Sequence, residues 1–399
     1  MMDFLRAHGA RIIDGKKPVH LRGVNLGGWL MPEGYIMQAP NRGHRFFRAR
    51  FIKELGEAAY QEIEEAFRAN FIREEDFRLI AGMGFNHVRL PFHYELLEPE
   101  PFVYSEDGFK YLEQAVAWGK KHGVRVILDM HAVPGAQNQD WHSDSDGRML
   151  FYSSKVYQQR AAALWQVIAE RFKDEPAVIG YDILNETVID DPKPMNAYYH
   201  AAIKAIRHVD PRHIIFVEGN LWSRDIECLD RFEDDNLVLG IHFYEPLELT
   251  FNYIPGLVYP LNGRKILWDK KYMRTRLDPS ANIARQRGRA LWCGEFGVHG
   301  RGGKYGEDGW VRDITAHFKA LDIHWTYWTW KAVKNHMFPD GIYSYYLNDA
   351  WVNRPGPEIG WDTWHRLWPK NKKEMAASWR TGKFSLNSEI ANALQGKRP

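Results

Sequence analysis

The run Val178-Ile179-Gly180-Tyr181-Asp182-Ile183-Leu184, followed at once by Asn185-Glu186, decides the fold. A short apolar run of this kind predicts a strand buried on both faces, as in a parallel sheet covered by helices. Similar runs recur along the chain, with amphipathic helical stretches between them. The predicted strands are His20–Leu26, Asn86–Pro91, Arg125–Met130, Val178–Leu184, Ile214–Glu218, Leu237–Tyr244, Ala290–Glu295 and Ile323–Trp330.

Strands that alternate with helices in this way predict an α/β fold, a (β/α)₈ TIM barrel with long βα loops over its catalytic face. The long loops are expected at about residues 31–72, 246–272 and 332–368. We expect one domain over residues 1–399, with an N-terminal hairpin at about residues 11–19 closing the barrel floor. The predicted helices are Glu74–Met83, Phe109–His122, Lys155–Phe172, Met195–His208, Ser280–Gly288 and Gly309–Leu321, with a further helix at about Ala58–Arg68 inside the first loop.

Composition excludes several classes of protein. The 399 residues carry a net charge of +2 with both signs interspersed, which argues against a nucleic-acid-binding surface. Two cysteines, Cys228 and Cys293, supply no disulfide framework. The N-terminus lacks a secretion signal and there is no apolar run of membrane-spanning length, so we expect a cytoplasmic protein, or an extracellular one if a signal has been removed.

Two glutamates carry the strongest chemical signal. Glu186 and Glu295 each follow a buried strand, where a carboxylate is poorly solvated and its pKa depends on its neighbours. The strand ends of a TIM barrel meet at one face, so the two side chains should share one mouth. Two such carboxylates are what glycoside hydrolysis requires. The alternative is that each glutamate is a solvated loop residue.

Other strand ends offer side chains that suit this chemistry. Arg89 is expected to face Glu295 and to favour its ionised form, with a structural ion pair as the alternative. A metal-dependent hydrolase is the rival interpretation of the histidines, but no His-x-x-x-His or His-Glu-x-x-His pattern occurs, so we expect no metal and no cofactor. The further candidates for substrate binding or orientation are His131, Asn185, His242, Tyr244 and Trp328.

Motifs along nearly the whole chain resemble glycoside hydrolase family 5, the cellulase-type retaining β-glycosidases. They are Leu21-Arg22-Gly23-Val24-Asn25, Gly84-Phe85-Asn86-His87-Val88-Arg89-Leu90-Pro91, Asp129-Met130-His131, Leu184-Asn185-Glu186, His242-Phe243-Tyr244, Gly294-Glu295-Phe296-Gly297 and Trp328. The resemblance implies that Glu186 is the acid/base and Glu295 the nucleophile. It further implies that Arg89 and Tyr244 orient Glu295, that Asn185 binds the sugar 2-hydroxyl, that His131 and His242 brace the site, and that Trp328 floors the first glycone subsite.

A finer resemblance is to the fungal exo-β-1,3-glucanases. It rests on Gly27-Gly28-Trp29 with Glu33 and Tyr35, on the segment 71–77 and on Pro134-Gly135-Ala136-Gln137-Asn138. In those enzymes the equivalents of Glu33 and Tyr35 help to form a blind pocket around the terminal glucose. Phe296 departs from them, because they usually carry Trp there, whereas endoglucanases carry Phe.

The predicted activity is therefore retaining hydrolysis of β-glucosides or β-glucan oligosaccharides, exo-acting from the non-reducing end. The alternatives are an endo-β-1,4-glucanase with an open cleft and a non-catalytic sugar-binding barrel. Double displacement requires the carboxyl groups to lie about 5–5.5 Å apart. Glu186 is expected to be protonated because an ionised Glu295 lies near it, and the carboxylate of Glu33 to accept hydrogen bonds from two sugar hydroxyls. The predicted partner is the β-linked substrate, with no nucleic acid, membrane or protein partner.

Overall fold

The computed structural model describes residues 2–263, 267–333, 337–345 and 360–397. The strands are β1 (Leu5–His8), β2 (Arg11–Asp14), β3 (Lys17–Val19), β4 (Arg22–Asn25), β5 (His87–His93), β6 (Arg125–Ala132), β7 (Val178–Asp182), β8 (Ile214–Glu218), β9 (Leu237–His242), β10 (Leu261–Asn262), β11 (Leu267–Trp268), β12 (Ala290–Phe296), β13 (Ile323–Tyr327), β14 (Lys331–Val333), β15 (Tyr343–Tyr345) and β16 (Ser385–Leu386).

The α-helices are α1 (His44–Leu55), α2 (Glu57–Phe71), α3 (Glu74–Gly82), α4 (Glu106–His122), α5 (Lys155–Phe172), α6 (Lys193–Val209), α7 (Asn220–Ser223), α8 (Leu247–Thr250), α9 (Lys270–Gln286), α10 (Glu307–Leu321), α11 (Trp364–Ser378) and α12 (Ser388–Leu394). Short 3₁₀ helices lie at Gly34–Met37, Tyr94–Leu96, Trp141–Ser143, Phe151–Ser153, Trp361–Thr363 and Thr381–Lys383.

Eight of these strands close into a parallel barrel in the order β4, β5, β6, β7, β8, β9, β12 and β13, with β13 pairing back onto β4. The predicted (β/α)₈ fold and the identity of its eight strands are confirmed. The strand bounds differ by no more than three residues. For example, β7 ends at Asp182, two residues before the predicted end, so Glu186 lies on the loop that leaves the strand.

A three-stranded antiparallel sheet, β1 to β3, covers the N-terminal end of the barrel. Residues 11–19 form its second hairpin, in which Asp14 pairs with Lys17. Leu5 and Ile12 of this sheet pack with Ile179, Phe216 and Trp292 in an apolar cluster below the barrel interior. Burying this cluster contributes the usual hydrophobic stabilisation and keeps water out of that end.

The loops over the opposite end differ most from expectation. The first loop holds two helices, α1 and α2, where one was predicted. Helix α9 begins at Lys270, ten residues before the predicted start; Asp269 caps it, and Pro279 lies within it. The second long loop lies partly outside the described residues, at 264–266, and so does the third, at 334–336 and 346–359. Among the helices that are described, none combines the length and hydropathy needed to cross a membrane.

Candidate active site

A cavity of about 310 Å³ opens at the C-terminal ends of the barrel strands. Eight of the ten residues predicted for the site line it: Glu33, Tyr35, His131, Glu186, His242, Tyr244, Glu295 and Trp328. The other two, Arg89 and Asn185, are fully buried directly beneath these residues and are bonded to each other at 2.7 Å. The structure therefore brings together all ten side chains, from the ends of seven barrel strands and the loops that follow them.

Glu295, near the end of β12, is held through both of its carboxylate oxygens. Arg89 Nη1 donates to Oε1 at 2.7 Å, and the Tyr244 hydroxyl donates to Oε2 at 2.7 Å. Two fixed donors leave this side chain little rotational freedom. The carboxylate is therefore aimed into the cavity, as a nucleophile must be to reach a bound sugar.

Arg89 is the hub of a buried polar layer inside the barrel. It lies within 3.1 Å of Asp129, Asp182, Glu218 and Glu295, each on a different strand. One guanidinium cannot offset four buried charges, and the structure resolves this by protonation. Burial raises the pKa of Asp129 to about 7 and that of Asp182 well above its usual range, whereas nearby His242 and Arg89 hold the Glu218 pKa low.

Glu186 has a left-handed backbone conformation, with φ of +42°. Such a conformation is unfavourable for a non-glycine residue and persists only when its surroundings fix it. Here the Glu186 amide donates to Glu218 Oε2 at 2.9 Å, and Asn138 Nδ2 donates to the Glu186 carbonyl at 2.8 Å. These two contacts turn the carboxylate toward the cavity.

The expected protonation of Glu186 is wrong for the unliganded site. Its pKa is lowered, because although burial favours the neutral carboxyl, the hydrogen bond and charge of His242 outweigh it. His242 Nδ1 lies 2.6 Å from Glu186 Oε1, and its Nε2 lies 3.0 Å from Glu218 Oε1. Facing these carboxylates, His242 has a pKa well above that of a free imidazole. The proton therefore rests on His242, one hydrogen bond away from Glu186.

A second histidine, His142, approaches Glu186 from the loop after β6. Its Nδ1 lies 3.5 Å from Glu186 Oε2, and its Nε2 lies 3.5 Å from Asp140 Oδ2. The bond to Asp140 and the charges of Glu186 and Glu33 outweigh burial and raise the His142 pKa to about 9. Sequence reasoning missed this residue, since a histidine in a polar loop carries no periodic signal.

One wall of the cavity is built for a flat ligand face. The indole of Trp328 stacks on the imidazole of His131, with ring centroids 5.5 Å apart and planes 13° from parallel, and Trp328 Nε1 donates to the Tyr35 hydroxyl. Burial lowers the His131 pKa to about 3, so the ring is neutral. Its Nδ1 lies 2.8 Å from Asp129 Oδ2, and a proton shared there leaves Nε2 to accept from Asn185 Nδ2 at 3.4 Å.

Glu33 stands on this wall, and its charge differs from expectation. Burial, reinforced by the charges of Glu295 and Glu186 against that of His142, raises the Glu33 pKa to about 8. Glu33 is therefore a neutral acid at pH 7, which can donate one hydrogen bond and accept another. Within the described residues its buried Oε1 has no hydrogen-bond partner, which suits it to bind a ligand hydroxyl.

Sequence reasoning also missed Glu218, although the signal was present. Glu218 ends the predicted strand Ile214–Glu218, just as Glu295 ends the predicted strand Ala290–Glu295. It is fully buried and links Arg89, His242 and the Glu186 amide. The aromatic residues Trp141 and Phe338, whose ring centroids are 5.4 Å apart, also line the cavity. Both lie in loops, where no strand pattern pointed to them.

Glu186, His242 and Glu295 are one group in the described structure whose ligand atoms could converge on a metal ion, all within 4.8 Å of one another. A metal-binding histidine must be neutral and offer a lone pair. Both nitrogens of His242 instead face carboxylates, and its pKa is raised. These three side chains are thus better suited to share a proton than to bind a metal ion. The 4.8 Å bound also means that carboxylate oxygens of Glu186 and Glu295 approach closely.

Comparison with known proteins is consistent with this geometry. Residues 56–334 match the family model described as cellulase (glycosyl hydrolase family 5). The chain is 31% identical over 303 residues to a β-xylosidase from Phanerodontia chrysosporium, an alignment that covers 74% of this chain and 62% of that protein.

Two further relatives bear other names. Over 344 residues, the chain is 27% identical to endoglucanase C from Acetivibrio thermocellus, with 77% of this chain and 90% of that protein covered. Over 251 residues, it is 28% identical to a probable glucan 1,3-β-glucosidase A from Aspergillus niger, with 60% of this chain and 59% of that protein covered. The chain thus spans about three fifths of the β-xylosidase and of the glucosidase.

Proposed function

The chain belongs to glycosyl hydrolase family 5 and is a glycoside hydrolase; from that premise we propose that it cleaves β-glucosides or β-glucan oligosaccharides with retention of configuration, exo-acting from the non-reducing end. One observation carries the proposal. Glu186 and Glu295 face one cavity with oxygens within 4.8 Å, and Glu295 is fixed by Arg89 and Tyr244. This approach fits the short separation of retaining enzymes better than the 6.5–9.5 Å of inverting ones.

In the first step, Glu295 attacks the anomeric carbon and forms an ester bond while the bond to the leaving oxygen breaks. Glu186 gives the leaving oxygen a proton, and the nearest source is the proton shared with His242 at 2.6 Å. Transfer from His242 to Glu186 changes no net charge in the pair, so it can accompany substrate binding. Glu186 is then the general acid, as its place beside the nucleophile requires.

In the second step, Glu186 accepts a proton from water as the water oxygen bonds to the anomeric carbon. The ester bond to Glu295 breaks, and the carboxylate returns to the donors Arg89 and Tyr244. The proton taken from water restores the Glu186–His242 pair. Two inversions at the anomeric carbon give net retention.

The exo mode is supported by the wall that contains Glu33. A neutral Glu33 can both donate to and accept from adjacent hydroxyls of a terminal sugar. Trp328 offers its indole face and the Tyr35 hydroxyl lies beside it, so the three groups would enclose the terminal ring. A chain continuing past this point would bury these polar groups against a linkage, at a cost in binding.

The endo mode is the second candidate, favoured by the relationship to endoglucanase C, which spans 90% of that protein. Phe296, which follows the nucleophile, also resembles the endoglucanases. The two modes predict different early products on the same polymer.

The test is product analysis on laminari-, cello-, gentio- and manno-oligosaccharides together with aryl β-glucosides and β-xylosides. We expect monosaccharide from the first time point, with the anomeric proton signal of the retained product seen first by NMR. An initial product of inverted configuration would overturn the retaining mechanism, and an early ladder of oligosaccharides would establish the endo mode.

A further inference from the structure

The mouth of the cavity has an apolar side exposed to solvent. Trp222, Leu247 and Tyr253 line the cavity yet are 38%, 36% and 47% exposed. Leu221 and Ile254, their chain neighbours, are also exposed. Exposed apolar side chains that gather beside a cavity mark a binding surface, whereas scattered ones need no explanation. We call Trp222, Leu247 and Tyr253 the apolar platform.

The order of the barrel strands places Trp222 of this platform across from the wall that holds Glu33. Glu33 and Tyr35 follow β4, whereas Trp222 follows β8, and these strands are four places apart in a ring of eight. Strand β8 is the neighbour of β7, which carries Glu186 beyond its end. The Trp222 amide also donates to the carbonyl of Thr187, next to Glu186, at 3.2 Å. Trp222 therefore lies on the side of the acid/base, where the leaving group departs, and Leu247 and Tyr253 follow β9, the next strand round the barrel.

The position of Trp222 is fixed at an energetic cost. Leu221, Trp222 and Ser223 have left-handed backbones, with φ of 54°, 55° and 58°, so the one-turn segment α7 does not have right-handed α-helical geometry. The Ser223 hydroxyl donates to Glu218, and Trp222 Nε1 donates to Asp140 Oδ2 at 2.8 Å. Strain of this kind is kept where the surroundings enforce it, and it gathers at ligand-binding sites. The loop thus holds an indole at the mouth instead of folding it away.

The two carboxylates on the same rim, Asp140 and Glu245, already accept hydrogen bonds. Asp140 accepts from Trp222 and pairs with His142. Glu245 accepts two bonds from Arg276, at 2.6 and 3.0 Å. Arg224 Nε donates to the Leu221 carbonyl, and its guanidinium lies 5.7 Å from the Trp222 ring centroid. A sugar ring on this side would bring its hydroxyls against three apolar side chains and two carboxylates already bonded elsewhere, whereas an apolar group would be covered without loss.

We propose that the leaving-group side of this site binds an apolar aglycone, an alkyl chain or aryl ring, through Trp222, Leu247 and Tyr253. This inference rests on the proposed function, since an aglycone presupposes glycoside cleavage. The glycone stays in the pocket of Glu33 and Trp328, and the platform selects what is attached to it. The alternative, which the test must distinguish, is that this side of the site binds a second sugar ring as the leaving group.

The test compares kcat/KM for n-alkyl β-glycosides from propyl to hexyl, whose leaving alcohols differ little in acidity. The glycosyl fluoride serves as a substrate with no aglycone, and its glucose and xylose forms identify the glycone. We expect kcat/KM to rise about twofold per methylene, roughly half the effect of full burial of a methylene, because the platform covers one side of the chain. Cellobiose and laminaribiose provide the sugar-leaving-group comparison.

Leu247→Asn should flatten the alkyl series while leaving turnover of the fluoride within about twofold. Val156→Asn, a matched change at an exposed apolar residue of α5, should retain the slope. A flat series in the wild type, or disaccharides turned over faster than the hexyl glycoside, would overturn the apolar aglycone while the fluoride still reports a working hydrolase. Absence of turnover on the fluoride and on every glycoside would overturn the proposed function instead.

Discussion

His242 Nδ1 lies 2.6 Å from Glu186 Oε1, so the proposed acid/base and a buried imidazole share one proton. The other ring nitrogen is 3.0 Å from Glu218, so both nitrogens of the ring face carboxylates. Coupled groups titrate as a pair, so the pH dependence of the site belongs to both residues.

His242→Gln should move the alkaline limb of kcat/KM to lower pH. In the wild type the catalytic proton is lost only as pH rises through the raised pKa of His242, whereas in the variant Glu186 must retain it as a lone carboxyl. The measurement is kcat/KM against pH on an aryl glycoside. His200→Gln, at an exposed histidine, is the control and should leave the limb in place. An unmoved limb in folded His242→Gln would show that Glu186 holds the proton alone.

Glu295→Ala should reduce turnover by several orders of magnitude, because the ester intermediate cannot form. Glu186→Ala should still be glycosylated rapidly by activated aryl glycosides, and azide should restore its turnover with a product of retained configuration. Progress curves with and without azide, with NMR of the product, distinguish the roles. Glu233→Ala, at a surface carboxylate, should behave as wild type. The assignment would be reversed if azide restored turnover of Glu295→Ala with a product of retained configuration and did not restore that of Glu186→Ala.

The difference in free energy of unfolding between Glu33→Gln and the wild type should shift in favour of the variant as the pH rises from 5 to 8. The folded pKa of about 8 exceeds the unfolded value of 4.5, so the folded state binds the proton more tightly between them. Wild-type stability therefore falls across that window, by about 1.4 kcal/mol per pH unit. Glutamine cannot ionise and avoids the loss.

Melting temperatures of the two proteins at pH 5, 6, 7 and 8 check this difference. Glu65→Gln, at an exposed position on α2, is the matched control and should follow the wild type. Parallel curves for Glu33→Gln and wild type would mean that Glu33 is ionised at pH 5 in the folded protein.

Glu33→Ala should weaken release of the terminal sugar by about 1–3 kcal/mol of transition-state binding, because a bound hydroxyl would lose its partner. The wild type should release monosaccharide from laminari- or cello-oligosaccharides at once and barely lower the viscosity of a soluble β-glucan. Chromatography of early products together with viscometry measures both. A rapid fall in viscosity, with Glu33→Ala nearly as active as wild type, would favour the endo mode.

The barrel could be predicted because its strands are buried on both faces and read as continuous apolar runs between amphipathic helices. The same pattern located Glu186 and Glu295, each at a strand end. It also contained Glu218, but nothing local distinguishes a glutamate that bridges Arg89 and His242 from one in solvent. The protonation states of Glu186 and Glu33 could not be predicted from the sequence either, because they depend on partners distant in sequence.

The loops are the least predictable part, since their conformations are set by tertiary contacts. His142 and Trp222 meet Glu186 and Asp140 only after the barrel has closed. The left-handed stretch 221–223 opposes the intrinsic preference of its residues and is maintained by bonds to Thr187 and Glu218. Local sequence favours other conformations at such positions.

The sheet of β1 to β3 has a consequence for how protons travel. It seals the lower end of the barrel with an apolar cluster whose Trp292 lies 5.7 Å beneath the guanidinium of Arg89. The ionisable layer above it faces solvent through the mouth, and a bound sugar stands in that passage. While the sugar is bound, the layer exchanges protons with the substrate and the attacking water and not with bulk solvent. Capture of substrate should respond to the acidity of the medium, whereas the bond-breaking steps that follow pass one proton to the leaving group and take one back from water.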